Sequence, residues 1–103
     1  MAVCSISIVP LGQGTSISEA LAKCLRALDA LNDLKYQLTA MSTQIEGPLD
    51  RIFPAIRAMH EAAASTGVGR IYTTITIDDR RDKEVTLTGK VAAVQKKLGK
   101  LGR

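Results

Sequence analysis

Hydrophobic and polar positions alternate over residues 3–9 (VCSISIV), with Cys4, Ile6 and Ile8 on one side and Ser5 and Ser7 on the other. That period predicts a strand with one apolar face. The pattern breaks at PLGQG (10–14). Ser16 followed by Glu19 then has the spacing of a capping box and predicts a helix start. Ile17, Leu21, Cys24, Leu28 and Leu31 step by four and three, as a core-facing helical stripe does. Alternation returns at 35–39, with Tyr36 and Leu38 on one side. It continues at 42–46, where Thr43 and Ile45 oppose Ser42, Gln44 and Glu46. The short connection at Ala40–Met41 predicts a hairpin. Gly47-Pro48 suits the start of a second helix, whose stripe is Leu49, Ile52, Ile56, Met59 and Ala63. Pro54 removes one backbone donor inside it and predicts a kink or a tightened first turn; Gly67 or Gly69 ends it. Residues 70–78 (RIYTTITID) form the longest strand, with Ile71, Thr73, Ile75 and Ile77 facing one way. After a charged turn at 79–82, Leu87, Val91, Val94 and Leu98 predict a third helix over about 83–99, despite the β-branched Val85 and Thr86 and the internal Gly89.

The order β-α-β-β-α-β-α predicts a mixed α/β (α+β) fold of the ferredoxin-like kind. It is a βαββαβ antiparallel sheet with two helices on one face, plus a C-terminal helix over an edge or a neighbouring subunit. The other sheet face would carry Ser5, Ser7, Gln37, Thr39, Gln44, Glu46, Thr74 and Thr76. Short neutral polar side chains suit a face packed on another sheet or lining a pocket, and the edge strand needs cover. Both features predict a homo-oligomer.

Composition narrows the function classes. A chain of 103 residues, 46% hydrophobic and 23% charged, is one globular domain over 1–103. No apolar run approaches the roughly 20 residues that span a bilayer. The start lacks a signal peptide's basic region and cleavage site. The expected location is cytoplasmic, with no membrane partner. The net charge of +4 sits in one place: Lys90, Lys96, Lys97, Lys100 and Arg103 close the chain without an acid, while the rest holds nine cations and ten acids. With Tyr36, Phe53 and Tyr72 the only aromatics, there is no base-stacking platform. The basic end therefore reads as a solvated helix face, and no nucleic-acid partner is expected.

Candidate chemistry is sparse. Cys4 and Cys24 lie on apolar faces, with no C-x-x-C and no neighbouring His, so they read as buried structural thiols with no metal or redox role. Gly12-x-Gly14 lies between a strand and a helix, where free N–H groups can hold an anion. Ile17 occupies the third position of a dinucleotide fingerprint and no G-K-[ST] follows, so the loop is a flexible turn or a weak ligand contact. His60 is the only histidine. Without an orienting carboxylate it reads as a structural or surface group rather than a general base. Glu46 is the most informative acid: on the polar side, at a strand end, it either caps the following helix or accepts a ligand's donors. The mixed run Asp78, Asp79, Arg80, Arg81, Asp82 reads as a solvated turn whose ion pairs contribute at most about 1 kcal/mol each.

Four segments together, VPLGQGTSIS (9–18), MSTQIEGPLDRI (41–52), HEAAASTGVGRI (60–71) and TITIDDRRDKEVTLTGKVAAVQKKL (74–98), resemble the thiamine-binding protein family over nearly the whole chain. The resemblance implies a ferredoxin-like fold, sheets stacked between subunits, and a tetramer built as a dimer of dimers. It also implies binding of thiamine or its hydroxymethylpyrimidine half at a subunit interface, with no reaction catalysed and no further cofactor. The family's T-x-I-E-G stretch falls on Thr43, Glu46 and Gly47, and its Gly-rich loop and Ser cap on Gly12, Thr15 and Ser16. Phe53 is an expected apolar contact. An aminopyrimidine offers donors that Glu46 can accept, and a cationic thiazolium favours a nearby acid. Two other readings share the same residues: an ACT-like regulatory module that senses an amino acid, and a small enzyme using Glu46 and His60.

Overall fold

A computed structural model gives the structure of the protein and describes residues 1–12 and 14–99. Seven elements follow one another: β1 (Ala2–Leu11), α1 (Ser18–Asp29), β2 (Lys35–Leu38), β3 (Thr43–Gly47), α2 (Leu49–Ala64), β4 (Arg70–Asp79) and α3 (Leu87–Leu98). The strands form one sheet in the order β2-β3-β1-β4, antiparallel at every step. This is the expected ferredoxin-like βαββαβ arrangement with an added helix. β1 pairs with β4 along its whole length, from Ala2 opposite Asp79 to Leu11 opposite Arg70. Its pairing with β3 covers only Ala2 to Ile6.

The alternation in β1 sorts its side chains as the sequence predicts. Ala2, Cys4, Ile6 and Ile8 are buried and join Ile45, Cys24, Leu28, Ile52, Ala55, Ile56, Met59 and Ala63 in a single core. That core lies between the sheet and the α1–α2 layer. Each fully buried Ile or Met in it contributes roughly 1.5–3 kcal/mol of transfer free energy. No described helix is long and apolar enough to cross a membrane.

Four local expectations are corrected. Ser16 does not cap α1. The helix starts at Ser18 with Ile17 before it and no side-chain cap, and the Ser16 hydroxyl meets that of Ser18 instead, 3.3 Å away. Half-buried Ile17 sets the start, its carbonyl accepting the Leu21 N–H at 3.0 Å. Leu31 lies beyond the helix end and is exposed; Ala20, Cys24 and Leu28 are the buried positions. Thr39 leaves the sheet and closes the hairpin turn, its hydroxyl donating to the Ser42 carbonyl at 2.8 Å. α3 begins at Leu87 rather than 83, because Thr86 is its N-cap, accepting the Gly89 N–H at 2.9 Å, and Val85 is buried just before it. A β-branched residue followed by a capping threonine marks a helix boundary. α2, by contrast, runs from Leu49 to Ala64 through Pro54. The N–H that Pro54 lacks would only have reached the carbonyl of Asp50 in the exposed first turn. Gly67, at φ +88°, follows the end of α2. Lys100 and Arg103 of the basic segment, and Gln13 of the Gly-rich loop, lie outside the described residues.

Candidate functional site

The face of the sheet turned away from α1 and α2 is organised in rows. Strand register aligns Gln37, Gln44, Ser5 and Thr76 across all four strands, a band of amides and hydroxyls. The next row on the same face holds Lys35, Glu46, Val3 and Asp78. The first turns of α3 meet this face at that second row. The Leu87 N–H donates to Glu46 Oε1 at 3.4 Å, and Lys90 forms an ion pair with Asp78. Between α3 and the sheet lies a cleft of about 310 Å³. Its sheet wall is Val3, Ser5, Gln44, Thr76 and Asp78; its helix wall is Leu87, Lys90 and Val91. The volume falls at the lower end of the range for small-molecule sites, and the mix of apolar walls with a few convergent polar groups is typical of them.

Glu46 does not line this cleft: it accepts from the wall residue Leu87 and pairs across the strands with Val3, and itself lines a neighbouring recess of about 550 Å³ with Lys35, Tyr36, Gln37, Leu87 and Thr88. It is only 8% exposed, and the long bond from Leu87 is its one hydrogen bond among the described residues. An ionised carboxylate has about four acceptor positions, so Glu46 keeps unused capacity. It caps the distant α3 and not the α2 that follows it in sequence.

The remaining predicted contacts are dispersed. Thr43 alternates with Glu46 and lies 2% exposed on the opposite face, lining a recess of about 70 Å³ with Ile17 and Leu21. Gly47 is buried on that same face, where an added Cβ would overlap Leu34. Gly12, Thr15 and Ser16 are exposed beyond the far end of β1, on the order of 25 Å from the Glu46 row at strand rise. Phe53 points outward from α2, 55% exposed. The cleft therefore joins residues that alternation had put on the neutral face without assigning them to a site to α3 residues that sequence distance hid, with Glu46 in the neighbouring recess on the other side of Leu87.

Other titratable groups have structural partners. His60 Nδ1 is 2.7 Å from the Thr73 hydroxyl, tying α2 to β4 on the side of the sheet away from Glu46. Burial pushes the thiols of Cys4 and Cys24 up, and Cys24 donates to the Met59 carbonyl. The Tyr36 hydroxyl donates to Asp29 at 2.6 Å, which raises the phenol's pKa. Arg80 and Asp82 pair at the surface, raising the one and lowering the other. Among the described residues no three His, Cys, Asp or Glu side chains converge as metal ligands do.

Fold and cleft together define a class: a ferredoxin-like α/β sandwich whose open sheet face, flanked by an extra helix, presents a cleft of short polar and apolar side chains. Residues 4–95 match the family described as Thiamine-binding protein, and the chain belongs to that family. It is 45% identical over 102 residues to the UPF0045 protein YqgV of Bacillus subtilis, covering 95% of this chain and 98% of that one. The crystal structure of the hypothetical protein MJ1052 from Methanocaldococcus jannaschii superposes with a TM-score of 0.83 at 36% identity, over 90% of this chain and 94% of that one. A Thermotoga maritima protein described as a candidate in thiamine biosynthesis or salvage shares the fold, with a TM-score of 0.76 at 18% identity over 90% and 97% of the two chains.

Proposed function

We propose that this protein binds thiamine or its hydroxymethylpyrimidine half, without catalysing a reaction, in the cleft between α3 and the open sheet face. The observation that carries the reading is Glu46: a buried carboxylate with unused acceptor positions, hydrogen-bonded to Leu87 at the boundary of a ligand-sized cleft and its neighbouring recess, in a chain of the thiamine-binding family. The exocyclic amine of an aminopyrimidine donates to Glu46, and Gln44, Ser5 and Thr76 offer partners to the ring nitrogens. Val3, Leu87 and Val91 supply apolar contact. Glu46 offsets the positive thiazolium, Asp78 being already paired with Lys90. The T. maritima neighbour's description, thiamine biosynthesis or salvage, supports the same ligand class.

The non-catalytic part of the reading draws on His60, engaged with Thr73 across the sheet from Glu46, and on two buried thiols. The protein works in the cytoplasm as a tetramer of stacked sheets. This is supported by the neutral row on the open face and by the apolar Tyr72, Val91 and Val94, each more than half exposed in the single chain.

Calorimetric titration tests the reading. Thiamine or hydroxymethylpyrimidine gives saturable heat, and Glu46→Gln weakens it about ten-fold or more, the scale of one charge-assisted hydrogen bond. Silence with both compounds, or a response to amino acids alone, contradicts it; the latter outcome favours an ACT-like sensor.

A further inference from the structure

The two edges of the sheet differ. β2 is an edge of four residues that opens on Lys35. β4 is an edge of ten residues, and among the described residues only β1 pairs with its backbone. From Ile71 to Ile77 it carries no charge, proline or glycine. Sheets blunt an edge with short strands, lysine, proline or a cover, and a long plain edge is a template for another strand. The helix-side flank of β4 is apolar as well. Ile71 and Ile77 are half-buried there, and Ile75 is 41% exposed. Phe53, 55% exposed, lies seven residues before His60 on the same face of α2, the face that meets Thr73 of β4.

We propose that β4 pairs antiparallel with β4 of a second copy, centred on Thr74, and that Tyr72 of the second copy thereby joins the wall of the α3 cleft. The strand RIYTTITIDD is self-complementary in that register. On the open face Arg70 stands opposite Asp78 of the second copy, Tyr72 opposite its Thr76, and Thr74 opposite its Thr74. On the helix side Ile71 meets its Ile77, and Thr73 meets its Ile75. Opposite charges, an aromatic against a β-branched residue, and paired threonines are favoured cross-strand combinations. Asp78 keeps acceptor positions for the guanidinium beside Lys90. Centring on Ile75 instead sets Arg70 against Arg80 and Ile71 against Asp79, and centring on Thr73 leaves Arg70 opposite Thr76. The two-fold axis stands perpendicular to the sheet, so both helix layers stay on one side and Ile75 is covered. Stacking joins faces and this contact joins edges, so the two combine. Thr76 is a wall residue of the cleft, whose own walls hold no aromatic among the described residues. Tyr72 of the second copy supplies one; this last point rests on the ligand reading given above.

Light scattering and oxidative cross-linking of the full chain test the edge, and calorimetry with thiamine tests the shared wall. Ile75→Lys, at an exposed position in mid-strand, halves the mass of the parent assembly with the far-UV spectrum unchanged. Thr74→Cys yields a covalent dimer on mild oxidation. Thr76→Cys does not, because in this register that residue and its copy lie about 13 Å apart along the strand. Native Cys4 and Cys24 are buried and do not compete. A parent that is monomeric, or an Ile75→Lys variant that keeps the parent mass, overturns the edge pairing; equal linking at Thr76→Cys overturns the register. Tyr72→Ala weakens thiamine about five-fold at unchanged mass, and unchanged affinity overturns the shared wall while leaving the edge standing. Absence of heat with thiamine in the parent overturns the ligand reading, and the cross-link still decides the edge.

Discussion

Cys4 and Cys24 behave as their surroundings dictate: at 3% and 0% exposure they are small core hydrophobes whose ionisation is opposed by burial. Their raised folded pKa carries a sign. The folded chain keeps protons that the unfolded chain releases above the ordinary thiol value of 9.0. The associated stability is thus complete below that value and is lost as pH rises past it toward the raised folded values. Chemical denaturation at pH 8 and pH 10 checks this: the double variant Cys4→Ala, Cys24→Ala shows a smaller fall in midpoint over the interval than the parent. A larger or equal fall contradicts the burial account. The same residue-level logic separates Thr43 from Glu46. Both are buried, but one sits over the core and the other beneath a helix end, so only the second has charge and free acceptor capacity to offer a ligand.

Among the elements, α2 and α3 represent opposite cases. α2 buries Ile52, Ala55, Ile56, Met59 and Ala63, whereas α3 buries nothing in the single chain. Truncation should therefore have different reach. Ile52→Ala removes a fully buried side chain and lowers global stability by about 2–5 kcal/mol. Thr86→Ala removes the cap on Gly89 at a cost of about 1 kcal/mol, felt as faster α3 exchange with little change in the global denaturation midpoint. A large global loss from Thr86→Ala would mean that α3 belongs to the cooperative core. Strands and the α2 stripe were legible in the sequence because period-two and period-3.6 patterns report burial directly: β1 and α2 bury their patterned faces, while β4 only half-buries Ile71, Thr73 and Ile77 and leaves Ile75 exposed. Helix starts were less legible. Ser16–Glu19 has capping-box spacing, but the position of Ile17 against its neighbours decides where α1 begins, and that is a tertiary fact.

For the whole molecule, the neutral open face was readable from alternation alone, and the structure adds how its residues line up. Register brings Gln37, Gln44, Ser5 and Thr76 into one band, and Glu46, Val3 and Asp78 into the next. The contribution of Leu87, Lys90 and Val91 could not be read from spacing, because 41 positions separate Leu87 from Glu46 and only the path of the chain after β4 returns it there. The family resemblance groups Thr43, Gly12, Thr15 and Ser16 with Glu46, but the fold puts Thr43 on the opposite sheet face and the other three beyond the far end of β1. The central claim is that thiamine is held on the open face beneath α3. Amide chemical-shift mapping with thiamine tests it most directly. The account predicts shifts concentrated at Val3–Ser5, Gln44–Glu46, Thr76–Asp78 and the first turn of α3. Shifts centred instead on residues 12–16, Thr43 and Phe53, or no shifts at saturating thiamine, would contradict it.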